Sequence, residues 1–198
     1  LFVPEDSVAA RHAMQLGLGA GAITKFCHQV LGMRNTVIEI NPHVVRACRL
    51  WFELPPDDER LHVVLADAAA EVRRSQWFGT VDALAVDLYD KNAVVPVLDS
   101  AAFYTDCRRL LSADGCMTVN LFGHVASFRR SLGYIAQAFG ACAVWVFKPT
   151  REGNTIVLAQ RSPQRLPRKL LQARAEAIEA RWGLPTRDWP RLLKAMRR

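Results

Sequence analysis

The sequence predicts an α/β fold: a seven-stranded, mostly parallel sheet with helices on both faces, followed by a helical C-terminal extension. Three observations carry this. Short β-branched or apolar runs alternate with segments of helical period along the first 140 residues. A glycine-rich loop follows the first of those runs directly. Two late strands, 143–148 and 155–160, are joined by the short polar link Pro149 to Asn154, which predicts a hairpin.

Taken in order, His12 to Leu18 is the first strand, ending in glycines. Ala22 to Leu31 is a helix, with Ile23, Phe26, Cys27, Val30 and Leu31 at helical spacing. Thr36 to Ile40 is the second strand. Asn41 caps the next helix and Pro42 suits its first position, the helix running to about Phe52. Leu61 to Ala66 is the third strand, and Asp67 opens a short helix to about Arg74. Val81 to Leu88 is the fourth strand, apolar apart from Asp82 and Asp87. Asp99 or Ser100 caps a helix to Leu111, and Ala113-Asp114-Gly115 turns into the fifth strand, Cys116 to Phe122. A helix from about Val125 to Phe139 leads to the hairpin. Five βα units closed by an antiparallel hairpin is the pattern of a Rossmann-like sheet of the S-adenosylmethionine-dependent methyltransferase type. It sets residues 1–160 apart from a basic extension, 161–198, with a helix over 166–181 and a second short one over 187–196.

Bulk properties limit the function classes. The chain has 198 residues, 51% of them hydrophobic, enough for one domain with a full core. No apolar run approaches the roughly 20 residues that span a bilayer, so no membrane partner is expected. Net charge is +7, but residues 161–198 carry 11 Lys/Arg against 3 Asp/Glu, and the rest is near neutral. A solvated amphipathic helix docked on the body accounts for this basicity, with nucleic acid not expected as a partner. Cys27, Cys48, Cys107, Cys116 and Cys142 form no Cys-x-x-Cys pair, and the five histidines show no ligand spacing. Buried, reduced thiols in a cytoplasmic protein, and no metal, are the expectation. The histidines are read as solvent-facing or capping groups at element edges. The chain begins at Leu1 rather than Met, so residues are expected to precede it.

Candidate chemistry lies at the strand ends. Ligands in open parallel sheets bind outside the carboxyl ends of the strands, at the switch in strand order. Gly17, Leu18, Gly19, Ala20 and Gly21 form the loop there, where glycines let the backbone approach a ligand. Glu39 ends the second strand, placed to accept the hydroxyls of a ribose, with Ile40 beside it. Asp67, with Ala68 next to it, ends the third strand. It suits an adenine amino group and is equally a good N-cap, and both roles can hold at once. Asp87 ends the fourth strand beside the cofactor's reactive end, where a carboxylate can hold an amine and take its proton. Tyr89 and Asp90 follow it. Asp90 reads either as a solvated loop residue or as a second anchor for the amine.

Four segments resemble the spermidine synthase (polyamine aminopropyltransferase) family: Gln15 to Gly21, Thr36 to Val45, Asp82 to Asp90, and Phe103 to Leu111. The first two are shared with methyltransferases generally; the last two are more specific together. The resemblance implies transfer of an aminopropyl group from decarboxylated S-adenosylmethionine to an amine. Asp87 would activate the amine, and Asp90 would hold it. It also implies a small-molecule amine substrate and a homodimer. The family's loop carries Asp where this chain has Ala20, and Pro where it has Lys91. The family also has an N-terminal β-rich segment, whereas eleven residues precede the first strand here. Ala20 keeps a second reading in view, a transferase that uses S-adenosylmethionine itself to methylate a small acceptor. A non-catalytic nucleoside-binding relative is the third.

Overall fold

The computed structural model describes residues 5–88, 100–121, 125–151 and 153–196. Its strands are β1 (His12–Leu16), β2 (Arg34–Glu39), β3 (Leu61–Leu65), β4 (Val81–Val86), β5 (Leu111–Leu121), β6 (Val144–Phe147), β7 (Thr155–Gln160) and β8 (Leu193–Ala195). They form one sheet in the order β3-β2-β1-β4-β5-β7-β6-β8. The first five strands are parallel and the last three antiparallel. Among the described residues the sheet therefore has eight strands, not the expected seven. The eighth comes from the C-terminal extension, where a helix over 187–196 is expected. Instead α7 (Trp189–Leu192) is a single turn, and the chain then extends along β6, Trp145 opposite Ala195. An edge strand with unpaired backbone groups invites a further strand, and Leu193 has an apolar surface to pack on.

Helices wind on both faces. The remaining ones are α1 (Ala22–Lys25), α2 (Pro42–Trp51), α3 (Ala68–Glu71), α4 (Ala101–Leu110), α5 (Val125–Phe139) and α6 (Arg168–Trp182). Alternation along the strands separates the two faces. Met14, Leu16, Ile38, Val86, Met117, Val119 and Val157 point to one side, where Phe103, Tyr104, Cys107 and Leu110 of α4 and Ile135 and Phe139 of α5 complete the largest core. Val37 points to the other side, packing with Cys48 of α2, Leu18, Leu54 and Leu61. Further along that second face, Trp145 and Leu158 meet Leu166, Leu171 and Leu193 of the extension.

Local rules explain most boundaries. Asn41 accepts from the His43 N–H (2.9 Å) with Pro42 behind it, as the sequence requires. Of the two candidate caps for α4, Ser100 accepts from the Phe103 N–H (3.3 Å); Asp99 lies outside the described residues. Other boundaries shift by a few residues, as α3 stops at Glu71 rather than near Arg74 and β4 at Val86 rather than Leu88, and two differ in kind. The helix after the glycine loop passes from α into a π segment, Phe26–Val30. The turn 112–115 is an irregularity within β5, since the β4 pairing jumps from Val81–Leu111 to Ala83–Cys116.

Two histidines are buried rather than solvent-facing. His12 is buried, with Nε2 2.9 Å from Thr36 Oγ1 and Nδ1 3.3 Å from the Thr80 carbonyl. A carbonyl can only accept, so Nδ1 carries the proton and neutral Nε2 accepts from the hydroxyl. Burial, and then the charge of Arg34, push this imidazole below its ordinary pKa. His28 is also buried, with Nε2 2.9 Å from Asp58 Oδ2. The expectation of buried thiols holds for Cys48 and Cys107 but not for Cys142, which is exposed. Among the described residues no helix is long and apolar enough to cross a membrane.

Candidate active site

The loop 17–21 leaves β1 at the switch in strand order, between β2 on one side and β4 on the other. Its glycines do different things. Gly17 is buried at φ +86°, and a Cβ there would lie 2.3 Å from the Asp87 carbonyl oxygen. It is glycine because β4 runs against it. Gly19 has φ +55° with nothing within 4 Å of its Cβ position, so its upper side is open. Gly21 stands as the N-cap of α1 at φ +73°, and a Cβ there would come 3.4 Å from Leu54. Leu18 is buried in the core, whereas Ala20 is exposed.

Buried polar groups hold the loop's shape. Gln15 donates through Nε2 to the carbonyls of Gly17 (2.7 Å) and Leu18 (3.3 Å), and its Oε1 accepts from Thr24 Oγ1 (2.6 Å). The Cys48 thiol donates to the Gly19 carbonyl (3.1 Å). Burial, and next the Glu39 carboxylate, raise that thiol's pKa, which keeps it protonated as a donor.

Glu39 joins the loop to the second βα unit. Its Oε2 accepts from the Leu18 N–H (2.9 Å) and its Oε1 from the Asn41 N–H (2.8 Å), in a side chain that is only 8% exposed. Both oxygens are thus aimed, and each has lone-pair capacity left, since a carboxylate accepts about four hydrogen bonds. Beside it Ile40 is 69% exposed, and Leu65, paired in register with Glu39, is 58% exposed. These apolar groups stand bare at the carboxyl edge of the sheet. Asp67 is exposed and caps α3, with Oδ1 accepting from the Ala69 N–H (2.9 Å); Ala68 is buried.

Asp87 directly follows β4, whose Val86 is opposite Leu16 and points to the main core, so by alternation Asp87 takes the opposite face. Its N–H donates to the Leu16 carbonyl (2.9 Å) and its Oδ1 accepts from Asn120 Nδ2 (3.0 Å). Asn120 Oδ1 in turn accepts from Asn154 Nδ2 (3.1 Å). Tyr89, Asp90 and Lys91 lie outside the described residues. The structure therefore brings Gly17, Leu18, Gly19, Gly21, Glu39, Ile40, Asp67, Ala68 and Asp87 to one edge of the sheet. Gln15, Asn120 and Asn154 are absent from the expected set. Gln15 and Asn120 were detectable as polar interruptions of otherwise apolar strands, whereas Asn154 reads only as a turn residue.

Parallel strands in the order 3-2-1-4-5, an antiparallel closing pair, and a glycine loop with an acidic residue at the end of β2 define the class: a methyltransferase-type Rossmann-like fold with its candidate site at the switch point. No family model matches the sequence. A polyamine aminopropyltransferase of Chromobacterium violaceum is 30% identical over 186 residues, spanning 93% of this chain and 70% of that protein. Among solved structures, human methyltransferase-like protein 13 in complex with SAH superposes with a TM-score of 0.80 at 20% identity, covering 93% of this chain and 88% of the other. A probable spermidine synthase from Corynebacterium glutamicum gives a TM-score of 0.70 at 23% identity, covering 91% and 68%. The chain belongs to the polyamine aminopropyltransferase family and is an enzyme of the transferase class.

Proposed function

We propose that this protein transfers an aminopropyl group from decarboxylated S-adenosylmethionine to a small amine. The observation that carries the reading is the pair of oriented carboxylates flanking the glycine loop: Glu39, tied to the loop through the Leu18 N–H, and Asp87, tied to Asn120. The open upper side of Gly19 supports the fit of an adenosyl group, because a side chain there would fill that space. Gly17, Leu18, Gly19 and Gly21 shape the cradle, and the remaining lone pairs of Glu39 receive the ribose hydroxyls. The exposed side chain of Ile40 would offer the adenine an apolar face, and Asp67 and Ala68 would serve its edge.

When bound, the sulfonium makes its propyl carbon electrophilic and leaves as a neutral thioether. The chain's part is to present a neutral amine to that carbon. Alkyl amines are protonated near neutral pH, so Asp87 holds the ammonium by a charge-assisted hydrogen bond and takes its proton first, freeing the nitrogen lone pair that then forms the C–N bond as the C–S bond breaks. Tyr89 and Asp90 complete the amine subsite in this proposal. A homodimer working in the cytoplasm goes with the same reading.

Incubation with decarboxylated S-adenosylmethionine and putrescine, with product detection by mass spectrometry, tests it. A product in the wild type that Asp87→Asn reduces at least about 100-fold is the expected result. Absence of product, or an Asp87→Asn variant as active as the wild type, refutes it. The second reading, methyl transfer from S-adenosylmethionine, is favoured by Ala20, which offers no charge to the ammonium of an aminopropyl group. Calorimetry with both cofactors separates the two. Tighter binding of the carboxylated form supports methyl transfer.

A further inference from the structure

We infer that Asn120, backed by Asn154, is a positioning residue for Asp87. The inference rests on the role given to Asp87 above. Asn120 sits one residue before the end of β5, next to the strand that delivers Asp87, and Val86 and Val119 are register partners. Both side chains therefore leave the sheet on the same face, away from the main core. Asn120 is also opposite Ile156 of β7, and Asn154 lies two residues from Ile156 on the same side. Three strands converge to place a carboxylate and two amides in line.

The chemistry of the groups gives this line a direction. A carboxylate only accepts, so the Asn120 amide must turn its NH2 toward Asp87 Oδ1 (3.0 Å). Its oxygen then faces away, where Asn154 Nδ2 donates to it (3.1 Å). With the oxygen engaged, a flip of the Asn120 amide breaks both bonds and sets its oxygen against a carboxylate. Asn154 is itself held, its N–H donating to Thr150 Oγ1 (3.3 Å) within the link between β6 and β7. The consequence for Asp87 is one fixed rotamer, with one oxygen engaged by a neutral donor and the carboxyl group held toward the incoming amine. Asn120 acts through Asp87 and does not itself meet the reacting carbon.

Two measurements on the full chain test this, and only one needs turnover. In 15N spectra the Asn120 side-chain NH2 signals should move on Asp87→Ala and move less on Asn154→Ala, in protein that still folds by circular dichroism. Signals that ignore Asp87→Ala overturn the inference whether or not the enzyme turns over putrescine. In kinetics, Asn120→Ala should lower kcat/KM for the amine by about 10- to 100-fold, as a displaced catalytic group does. KM for the adenosyl cofactor should stay within about twofold, because the loop and Glu39 are untouched. Asn120→Ala should cost nothing further in an Asp87→Asn background. A wild-type protein that makes no product refutes the proposed function. An active wild type with an equally active Asn120→Ala variant refutes this inference and leaves that function standing.

Discussion

Replacing Gly17 by alanine should injure the fold, whereas the same change two residues on, at Gly19, should injure binding. At Gly17 the backbone has φ +86°, a conformation costly to any residue with a Cβ, by about 1–2 kcal/mol. The new methyl would stand 2.3 Å from the Asp87 carbonyl oxygen and 3.1 Å from its carbon. That oxygen belongs to backbone at the end of β4 and cannot swing aside as a flexible side chain could. Overpacking of this kind costs about 1–3 kcal/mol more. A total near 3 kcal/mol corresponds to a Tm lowered by about 6–12 °C in a domain of this size. At Gly19 the backbone is also left-handed, φ +55°, but a Cβ meets nothing within 4 Å. The strain alone, about 1 kcal/mol, should lower Tm by about 2–4 °C. The added methyl would occupy the face on which the adenosyl group is proposed to lie, so affinity should fall more than stability does. Calorimetric melting of both variants, with cofactor titration of each, separates the effects. A Gly17→Ala protein that melts with the wild type, or a Gly19→Ala protein that is the less stable of the two, refutes the account of the loop.

Three further outcomes are expected. Glu39→Gln keeps one acceptor oxygen where two are used, so either Leu18 or Asn41 loses its partner. Stability should drop by about 1–3 kcal/mol and cofactor affinity by at least about tenfold, read by melting and calorimetry. His12 is held neutral in the fold below its unfolded pKa of 6.5, so the unfolded chain binds its proton first as pH falls. Its contribution is complete above pH 6.5 and is lost as pH drops from there toward the native value, so Tm should fall in that window and His12→Gln should flatten the fall. Deleting residues 161–198 removes β8 and α6 and uncovers Trp145 and Leu158. About 3–6 kcal/mol of apolar burial is lost with those two side chains, so the truncated chain should melt well below the full one or aggregate through the bared edge of β6.

Features that a few neighbouring residues decide were legible in the chain before it folded. Strand and helix alternation follows from hydrophobic period, and the start of α2 from Asn41-Pro42, because the cap and the ring act within one turn. The β6–β7 hairpin follows from a short polar link, since few residues can only reverse the chain. The acidic ends of β2, β3 and β4 were legible for the same reason: each falls where a period stops. Tertiary structure decided the rest. That Gly17 answers to Asp87, 70 residues away, depends on β4 lying beside β1, which no local pattern states. The tethering of Glu39 to the loop, and the line from Asp87 through Asn120 to Asn154, join residues on strands that become neighbours only when the sheet assembles. The eighth strand is the plainest case. Leu193 to Ala195 falls within 187–196, where the sequence predicts a short helix, yet the open edge of β6 offers backbone partners and the Trp145–Leu158 surface offers burial, and together they outweigh local preference.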